Sequence, residues 1–434
     1  MRKAYPSYQE TNLDWLEEIP THWSLGKLGV CFAERNEKVS DTDYLPLSVT
    51  KNGIVPQMEH VAKTDAGDNR KKVCKNDFVI NSRSDRKGSA GVSELDGSVS
   101  LISTVLEPRF YLPRFAHHLF RSYNFQEEFY RFGKGIVADL WSTRYAEMKN
   151  IVVPLLPMDE QEAIANFLDR ETARIDKLIA EKQTFIKLLK EKRQALISHV
   201  VTKGLNPNVK MKDSGIEWIG DVPEHWTACR LKQISNFITS GPRGWSDLIE
   251  ENGDSLFLQS GDLNNNLGLE LAKAKRVTPP EGAEGIRTKL LCGDVVVCIT
   301  GANTGRVALT QSLDETVYIN QHLSLIRPIS EKIRSKYLAY FLASEAGSKY
   351  YAITQYGLKE GLSLKNISET PVAFPKLEEQ RLIEERMDKE MEKFNLLTDA
   401  TLQSIDLLKE HRTALISAAV TGKIDVSHFK EDAA

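Results

Sequence analysis

Residues 188–202 read LLKEKRQALISHVVT, and residues 407–421 read LLKEHRTALISAAVT. Eleven of these fifteen aligned positions are identical, whereas chance composition would leave about one identity. A second pair of segments supports the first. Residues 15–23 (WLEEIPTHW) and 218–226 (WIGDVPEHW) share both tryptophans, the proline and the histidine. The chain therefore contains an internal repeat, in which a Trp motif, a long stretch and a helical motif follow one another twice.

The spacing of the repeated motifs shows where the two copies differ. The Trp motifs lie 203 residues apart and the helical motifs lie 219 residues apart. The second intervening stretch is therefore longer by 16 residues. The Trp and helical motifs are retained, while the stretches between them differ. This pattern predicts two domains of the same kind but of different specificity.

Each helical motif ends a long amphipathic segment. Apolar residues recur every three or four positions over residues 159–202 and 378–421, the spacing of one stripe on a helix. Gly204 and Gly422 mark the ends of the two segments. About 40 residues at about 1.5 Å rise give a helix of about 60 Å. Two matched helices of this kind predict a coiled-coil pair; the alternative is that each helix lies on its own domain.

The stretches between the motifs have a different pattern. Residues 24–156 and 227–374 contain short β-rich runs, broken by Gly, Asn and Asp, and interleaved helical runs. We expect strands at 78–80, 99–102, 295–300 and 323–326, and helices at 113–132 and 331–351. This pattern predicts a compact α/β domain with a twisted sheet in each copy. The expected segments are two domains, 1–158 and 211–375, and two helical spacers, 159–210 and 376–434.

Composition limits the class of protein. The net charge of −3 argues against a nucleic-acid binder that acts alone, since such proteins are usually basic. The longest apolar runs, 151–158 and 295–299, are too short to cross a bilayer, and the first fifteen residues lack the apolar core of a secretory signal. The five cysteines form no CxxC pair, which predicts reduced thiols, no zinc site and a cytoplasmic location.

The motifs of enzymes that act on nucleic acids are missing from the sequence. There is no GxxxxGK[ST] phosphate loop, no HExxH, no Asn/Asp-Pro-Pro-aromatic tetrad and no Pro-Asp…Glu-x-Lys nuclease cluster. Residues 301–305 (GANTG) are the nearest match to a phosphate loop but lack the lysine. The sequence therefore predicts a chain with no catalytic, cofactor-binding or metal-binding residues.

The repeated motifs together carry a family resemblance. The arrangement of the motifs closely resembles the specificity subunit of type I restriction–modification systems. The motifs that carry this resemblance are the Trp openings at 15–23 and 218–226, the Pro-to-Glu-Gln segments at 153–161 and 374–380, and the terminal helical repeats. The resemblance covers essentially the whole chain. It implies α/β (α+β) target recognition domains in two copies, joined by two long antiparallel coiled-coil helices with a pseudo-twofold repeat.

The resemblance also implies a function and a set of partners. Each domain would read half of an asymmetric, split site in double-stranded DNA, while the helices set the spacer and dock two methyltransferase subunits for adenine-N6 methylation. S-adenosylmethionine would belong to those subunits, and ATP and magnesium to a motor (restriction) subunit. Two rival interpretations are a self-contained nuclease or methyltransferase with degenerate motifs, and a coiled-coil adaptor that binds only proteins.

Reading base edges requires Arg, Lys, Asn, Gln, Ser or Thr on protruding loops. In the first domain such residues lie in the turns 50–53 (TKNG), 81–90 (NSRSDRKGSA) and 133–135 (GKG). The alternative interpretation of the first two segments is a plain or solvated turn, and the third is better suited to a phosphate contact than to a base contact. The selected residues are Lys51, Asn81, Arg83, Ser84, Arg86, Lys87 and Lys134.

The second domain offers comparable loops at 240–245 (SGPRGW), 259–260 (QS), 301–306 (GANTGR), 320–322 (NQH) and 356–359 (YGLK). Trp245 is expected to cap a small core, and the four tryptophans of the repeated openings are expected to pin each domain to a helix base or to meet a partner. The selected DNA-contacting residues are Arg243, Gln259, Asn303, Thr304, Arg306, Asn320, Gln321 and Lys359.

Overall fold

A computed structural model describes residues 4–57, 67–135, 141–355, 361–427 and 429. The chain divides into two compact units, Met1–Gln183 with Leu402–Ala434, and Thr184–Thr401. Each unit therefore contains one variable domain together with parts of both long helical segments. Among the described residues no helix is long and apolar enough to cross a membrane, and no group of three His, Cys, Asp or Glu side chains could hold a metal ion.

The first unit combines short strands with short helices. Its strands are β1 Tyr8–Glu10, β2 Glu18–Pro20, β3 Ser24–Lys27, β4 Phe32–Glu34, β5 Lys38–Val39, β6 Leu47–Thr50, β7 Gly53–Pro56, β8 Arg70–Val73, β9 Phe78–Asn81, β10 Ala90–Val92, β11 Gly97–Val99, β12 Ser103–Pro108 and β13 Val152–Leu155. Its short helices are α1 Leu28–Cys31, α2 Pro113–Arg121, α3 Tyr123–Arg131 and α4 Tyr145–Met148. The long helix α5, Met158–Lys203, begins in this unit.

The second unit is built in the same way. Its strands are β14 Met211–Asp213, β15 Asp221–Pro223, β16 Thr227–Arg230, β17 Ser235–Ser240, β18 Ser255–Leu258, β19 Lys275–Val277, β20 Val295–Cys298, β21 Val307–Leu309, β22 Val317–Ile319, β23 Leu323–Pro328 and β24 Pro371–Phe374. Its short helices are α6 Ala283–Thr288, α7 Ser335–Ala343, α8 Glu345–Thr354 and α9 Leu364–Ser368. The long helix α10, Leu377–Val420, begins in this unit.

The internal repeat extends into the sheets. The first unit contains a four-stranded antiparallel sheet in the order β10-β9-β12-β4, and the second contains one in the order β21-β20-β23-β17. Each unit also has a separate three-stranded sheet, β11-β8-β5 or β19-β18-β22. The predicted α/β character is therefore confirmed, although the strands of each unit divide among several small sheets, including two-stranded ones, instead of forming the one sheet that we expect from the sequence.

The two long helices contribute to both cores and run antiparallel. In the first unit, the beginning of α5, including Ile164, shares a core with Leu415 and other residues near the end of α10. In the second unit, Ile197 near the end of α5 shares a core with Ile383 near the beginning of α10. The predicted pairing of the helices is confirmed, and each helix also packs on a domain, as the alternative interpretation proposed.

Both long helices end at a glycine with a left-handed backbone. Gly204 and Gly422 both have φ of +76°, a conformation that costs other residues energy because of their Cβ atoms. A Cβ at Gly422 would also lie 3.1 Å from the Trp23 ring and closer still to Pro20. The predicted helix stops are therefore confirmed, and the second stop also brings the helix end against the Trp motif.

Three predicted elements need correction. The helix predicted at 113–132 is two helices, because Ser122 has an extended backbone, donates its hydroxyl to the Leu119 carbonyl and accepts from the Phe125 N–H. Ser344 separates α7 from α8 and also donates to a preceding carbonyl. The strand predicted at 99–102 ends at Val99, and residues 101–102 form an exposed turn.

Candidate nucleic-acid interface

The loop after β9 presents basic side chains on the surface of the first unit. Arg83 and Arg86 are exposed, and Ser84–Arg86 forms a turn of 3-10 helix. The sequence selects Asn81 as a base-contacting residue, but its side chain is 7% exposed and accepts from the Arg83 N–H at 3.0 Å. Asn81 therefore shapes the loop and does not project from it.

The cations of this loop have only weak intramolecular partners. Arg86 lies 3.5 Å from the Asp85 carboxylate, with two-thirds of its side chain exposed. Lys87 pairs with Glu127 and lies 5.3 Å from the centre of the Tyr130 ring. Exposed ion pairs contribute little to stability, so both side chains can exchange their carboxylate for a phosphate at low cost.

The other two selected residues of the first unit lie on separate turns. Lys51 is exposed in the turn between β6 and β7, and its carbonyl accepts a hydrogen bond from Arg121. Lys134 is 79% exposed and lies 3.5 Å from Glu147. Residue 134 also forms a β-bridge with Ser142, as Arg83 does. The structure therefore brings the Lys134 turn to the same segment as the loop after β9.

Among the described residues selected in the second unit, Arg243 has the most exposed side chain. It is exposed in the turn before the 3-10 helix Trp245–Leu248. The neighbouring Trp245 is 3% exposed and packs against Phe257 and Tyr318. The prediction that Trp245 caps a small core is confirmed, and this small core holds the turn that presents Arg243.

The side chains of the GANTGR turn bind the backbone of their own unit. Asn303 Nδ2 donates to the Ser260 carbonyl at 3.0 Å, and Arg306 donates to the Leu263 carbonyl at 2.9 Å. Thr304 donates to the carbonyl of Gly301 within the turn. These bonds hold the turn against the loop that follows Gln259. Gln259 itself is half-buried. The two selected loops thus form one surface.

The NQH segment is less accessible than the sequence indicates. Asn320 is 3% exposed, and its Oδ1 accepts from the His322 N–H at 3.1 Å. Gln321 is half-buried, with its amide 3.3 Å from the His322 ring. Asn320 therefore shapes a turn, as Asn81 does. Lys359, with Tyr356 and Gly357, lies outside the described residues.

A carboxylate at the start of each long helix fixes the Trp motifs. Glu160 accepts from Trp23 Nε1 at 2.9 Å and from the Tyr5 hydroxyl at 3.1 Å, and it lies 2.5 Å from His22 Nε2. In the second unit, Glu379 accepts from the indole N–H of the second repeated His-Trp pair at 3.1 Å, with the histidine at 2.7 Å. The predicted role of Trp23 in pinning a domain to a helix base is confirmed, and the same holds for its counterpart.

The first tryptophan of each motif packs elsewhere. The Trp15 ring lies 5.9 Å from the Phe125 ring on α3, and the Trp218 ring lies 5.6 Å from the Tyr350 ring on α8. These aromatic contacts join the Trp motif to the short helices of its own unit. All four tryptophans are therefore parts of the frame, and their placement gives no support to stacking on bases.

Sequence analysis missed the glutamines that follow the two glutamates. Gln161 is fully buried, accepts from the Leu112 N–H at 2.8 Å and donates to the Leu156 carbonyl at 3.0 Å. Gln380 accepts from the Arg334 N–H at 2.8 Å and donates to the Pro375 carbonyl at 2.9 Å. The repeated Glu-Gln pair was the available signal. Each glutamine ties the entry of a short helix to the start of a long one.

A half-buried histidine beside the Lys51 turn was also missed. Burial, together with the charge of Arg121, lowers the pKa of His117 to about 3. Arg121 donates to His117 Nε2 at 2.6 Å, which requires a neutral ring. Nothing in the sequence distinguishes His117 from its neighbour His118, which lies 2.6 Å from the Asp169 carboxylate.

The lowered pKa of His117 predicts a pH-dependent stability. The folded pKa lies below the ordinary value of about 6.5, so the unfolded chain binds a proton first as the pH falls. The stabilisation is complete above about pH 6.5 and is lost toward pH 3, by at most about 1.4 kcal/mol per pH unit. Denaturant unfolding between pH 7 and 4.5 should show a weaker pH dependence in His117→Gln than in the unchanged chain. Equal slopes would contradict the prediction.

Comparison with known proteins connects this architecture to a family. The type I restriction modification DNA specificity domain matches residues 223–407. The MjaVIII type I restriction enzyme specificity subunit of Methanocaldococcus jannaschii is 23% identical over 286 residues, which are 65% of this chain and 64% of that protein. The matching part of the chain thus spans just under two-thirds of the length of this curated relative.

Two solved structures have the same fold. A chain from a study of complex assembly and conformational transition of the type I R-M system is 18% identical with a TM-score of 0.71, over 93% of this chain and 98% of that one. The HsdS subunit from Thermoanaerobacter tengcongensis is 19% identical with a TM-score of 0.55, over 96% and 100% of the two chains. At these identities the likeness concerns the fold.

Proposed function

We propose that the chain belongs to the type I restriction–modification specificity family and that it is the DNA-recognition subunit of a complex that methylates a split DNA site. The observation that carries the proposal is the repeat itself. The two units share a strand order and a helix-base frame, while their loops present different side chains. Two similar frames with different loops suit two different half-sites, which together make an asymmetric target.

Within this proposal the contact residues fall into two groups. The exposed cations Lys51, Arg83, Arg86 and Lys87, with Lys134, serve the first half-site. Arg243 and the GANTGR surface with Gln259 serve the second. Arginine contacts to guanine edges discriminate between bases, whereas lysine contacts to phosphates add affinity without sequence preference. Ser84, Gln321 and Lys359 stay in the predicted set, and Asn81 and Asn320 support their loops.

The chemistry belongs to partners in this proposal. Two methyltransferase subunits bind S-adenosylmethionine and take the target adenine out of the duplex, and a motor subunit with ATP and magnesium adds cleavage. The chain itself contributes recognition and the docking of these subunits on α5 and α10. We place the assembly in the cytoplasm, where it has access to host DNA.

The experiment that tests the proposal is methylome sequencing. The chain is co-expressed with the methyltransferase encoded beside it, and adenine methylation is mapped in the host DNA. We expect a split asymmetric motif that disappears when this chain is deleted. Exchange of residues 227–374 for those of another specificity subunit should change one half of the motif and leave the other unchanged.

Two outcomes would contradict the proposal. Methylation at a continuous palindrome, or methylation that persists without this chain, would favour a self-contained enzyme. Co-purification with the methyltransferase together with unchanged methylation after the domain exchange would favour a protein-binding adaptor.

A further inference from the structure

A groove of about 540 Å³ lies within the first unit, between the variable domain and the long helices. It is lined by four cations and two carboxylates. These residues are Lys51, Lys87, Arg121, Arg412, Asp169 and Asp176. Two of the cations come from loops selected for DNA contact, whereas Arg121 ends α2 and Arg412 belongs to the repeated helical motif. The groove thus joins a predicted recognition surface to the frame.

Arg121 is held in place by neutral groups. It donates Nη1–H to His117 Nε2 at 2.6 Å and Nη2–H to the Lys51 carbonyl at 2.5 Å. The ring of His117 is neutral because its pKa lies near 3. Burial, and then the charge of Arg412, lowers the pKa of Arg121. Within the described residues Arg121 forms no ion pair, so its orientation is fixed while its charge is not compensated.

The carboxylates of the groove are already engaged with other cations. Asp169 accepts from Arg114 Nε at 2.7 Å and lies 2.6 Å from His118 Nε2. Asp176 accepts from Arg412 at 2.9 and 3.1 Å through both of its oxygens. Neither carboxylate compensates Arg121 or Lys51. The groove therefore has the chemistry of an anion site, with a guanidinium that keeps three of its five N–H donors free for a ligand.

We propose that this groove binds a phosphodiester of the DNA backbone, with Arg121 as the central ligand and Lys51 and Lys87 at its rim. This inference rests on the proposed function. A phosphate is favoured over the carboxylate of a partner protein because Lys87, which lines the groove with Lys51, lies on the loop that carries the exposed Arg83 and Arg86. A planar guanidinium fork matches two phosphate oxygens. A phosphate contact would set the register of the first domain on the duplex without reading sequence.

The test compares matched charge losses in the complex with its methyltransferase subunits. The probes are a duplex that carries the methylated motif and a random-sequence duplex of the same length. Arg121→Gln is expected to weaken binding of both duplexes by a similar factor, roughly tenfold. The slope of log affinity against log salt concentration should become shallower by about 0.9. Lys51→Gln, a change at an exposed turn that leaves the core intact, should act in the same direction.

The control is Arg174→Gln, which removes one charge from an exposed position of α5 that does not line the groove. Equal effects of the Arg174 and Arg121 substitutions would overturn the proposal. If the Arg121→Gln variant binds DNA normally but loses the methyltransferase subunits, the groove binds a carboxylate of a partner protein instead. Failure of the unchanged complex to bind either duplex would instead refute the proposed function.

Discussion

Glu160→Ala is expected to lower the free energy of unfolding of the first unit by about 3 kcal/mol, because three donors lose one acceptor. Those donors are the Trp23 indole, the Tyr5 hydroxyl and the His22 ring. Of these, Trp23 is 2% exposed and Tyr5 is 9% exposed, so water replaces the lost bonds poorly. One hydrogen bond to a charged acceptor contributes about 1.5–3 kcal/mol. The Trp23 and Tyr5 side chains both donate to the Glu160 carboxylate.

The measurement is thermal and denaturant unfolding, followed by Trp fluorescence and by hydrogen exchange in the first unit, since two units need not unfold together. Glu162→Ala, at an exposed position of the same helical turn, is the matched control and should change stability by less than about 0.5 kcal/mol. Glu379→Ala should destabilise the second unit in the same way. Similar values for the Glu160 and Glu162 substitutions would show that the helix-base carboxylate is dispensable.

Shortening both long helices by one heptad is expected to shorten the spacer of the methylated motif and to leave its half-sites unchanged. Deletion of residues 180–186 together with 400–406 keeps Asp176 with Arg412 and Arg193 with Met391. Seven residues correspond to about 10 Å of helix, which is about three base pairs of duplex. A heptad also nearly preserves the face of the helix, since the drift is about 20°.

Methylome sequencing of cells with the shortened chain provides the measurement, and insertion of a heptad at the same places provides the opposite change. Deletion in one helix alone should abolish assembly or methylation, because the apolar stripes of an antiparallel pair then lose their register. An unchanged spacer in a double-deletion complex that still methylates DNA would contradict the view that the helices set the distance.

The long helices and the Trp motifs of this protein could be predicted from sequence because each pattern occurs twice in the chain. The helical motifs, the glycine stops at Gly204 and Gly422 and the roles of Trp23 and Trp226 follow from repeated patterns whose physical causes are local. The breaks at Ser122 and Ser344 could not be predicted in this way. Serine ends a helix only where its hydroxyl replaces a backbone bond, and the pattern of apolar residues continues across both positions.

The candidate site was less predictable, because loop residues were chosen by type and their burial depends on distant segments. Asn81 and Asn320 have base-reading side chains, yet both fold back on their own backbone. Arg306 has a suitable charge, but it donates to the Leu263 carbonyl of another loop. Arg121 looks like an ordinary cation at a helix end, and only the tertiary structure brings it to Lys51 and Arg412.

The composition of the first unit has a consequence for protein synthesis. Its core includes Leu415, Ala419, Val420 and Val426, whereas the other buried members of that core lie before residue 184. A ribosome that adds about 5–20 residues per second reaches residue 402 roughly 10–40 seconds after residue 183. During that interval the apolar stripe of α5 lacks its partner at the end of α10. All residues of the second unit, in contrast, have been synthesised by residue 401. The domain translated first is therefore completed last, and its nascent form exposes apolar surface until the end of α10 is made.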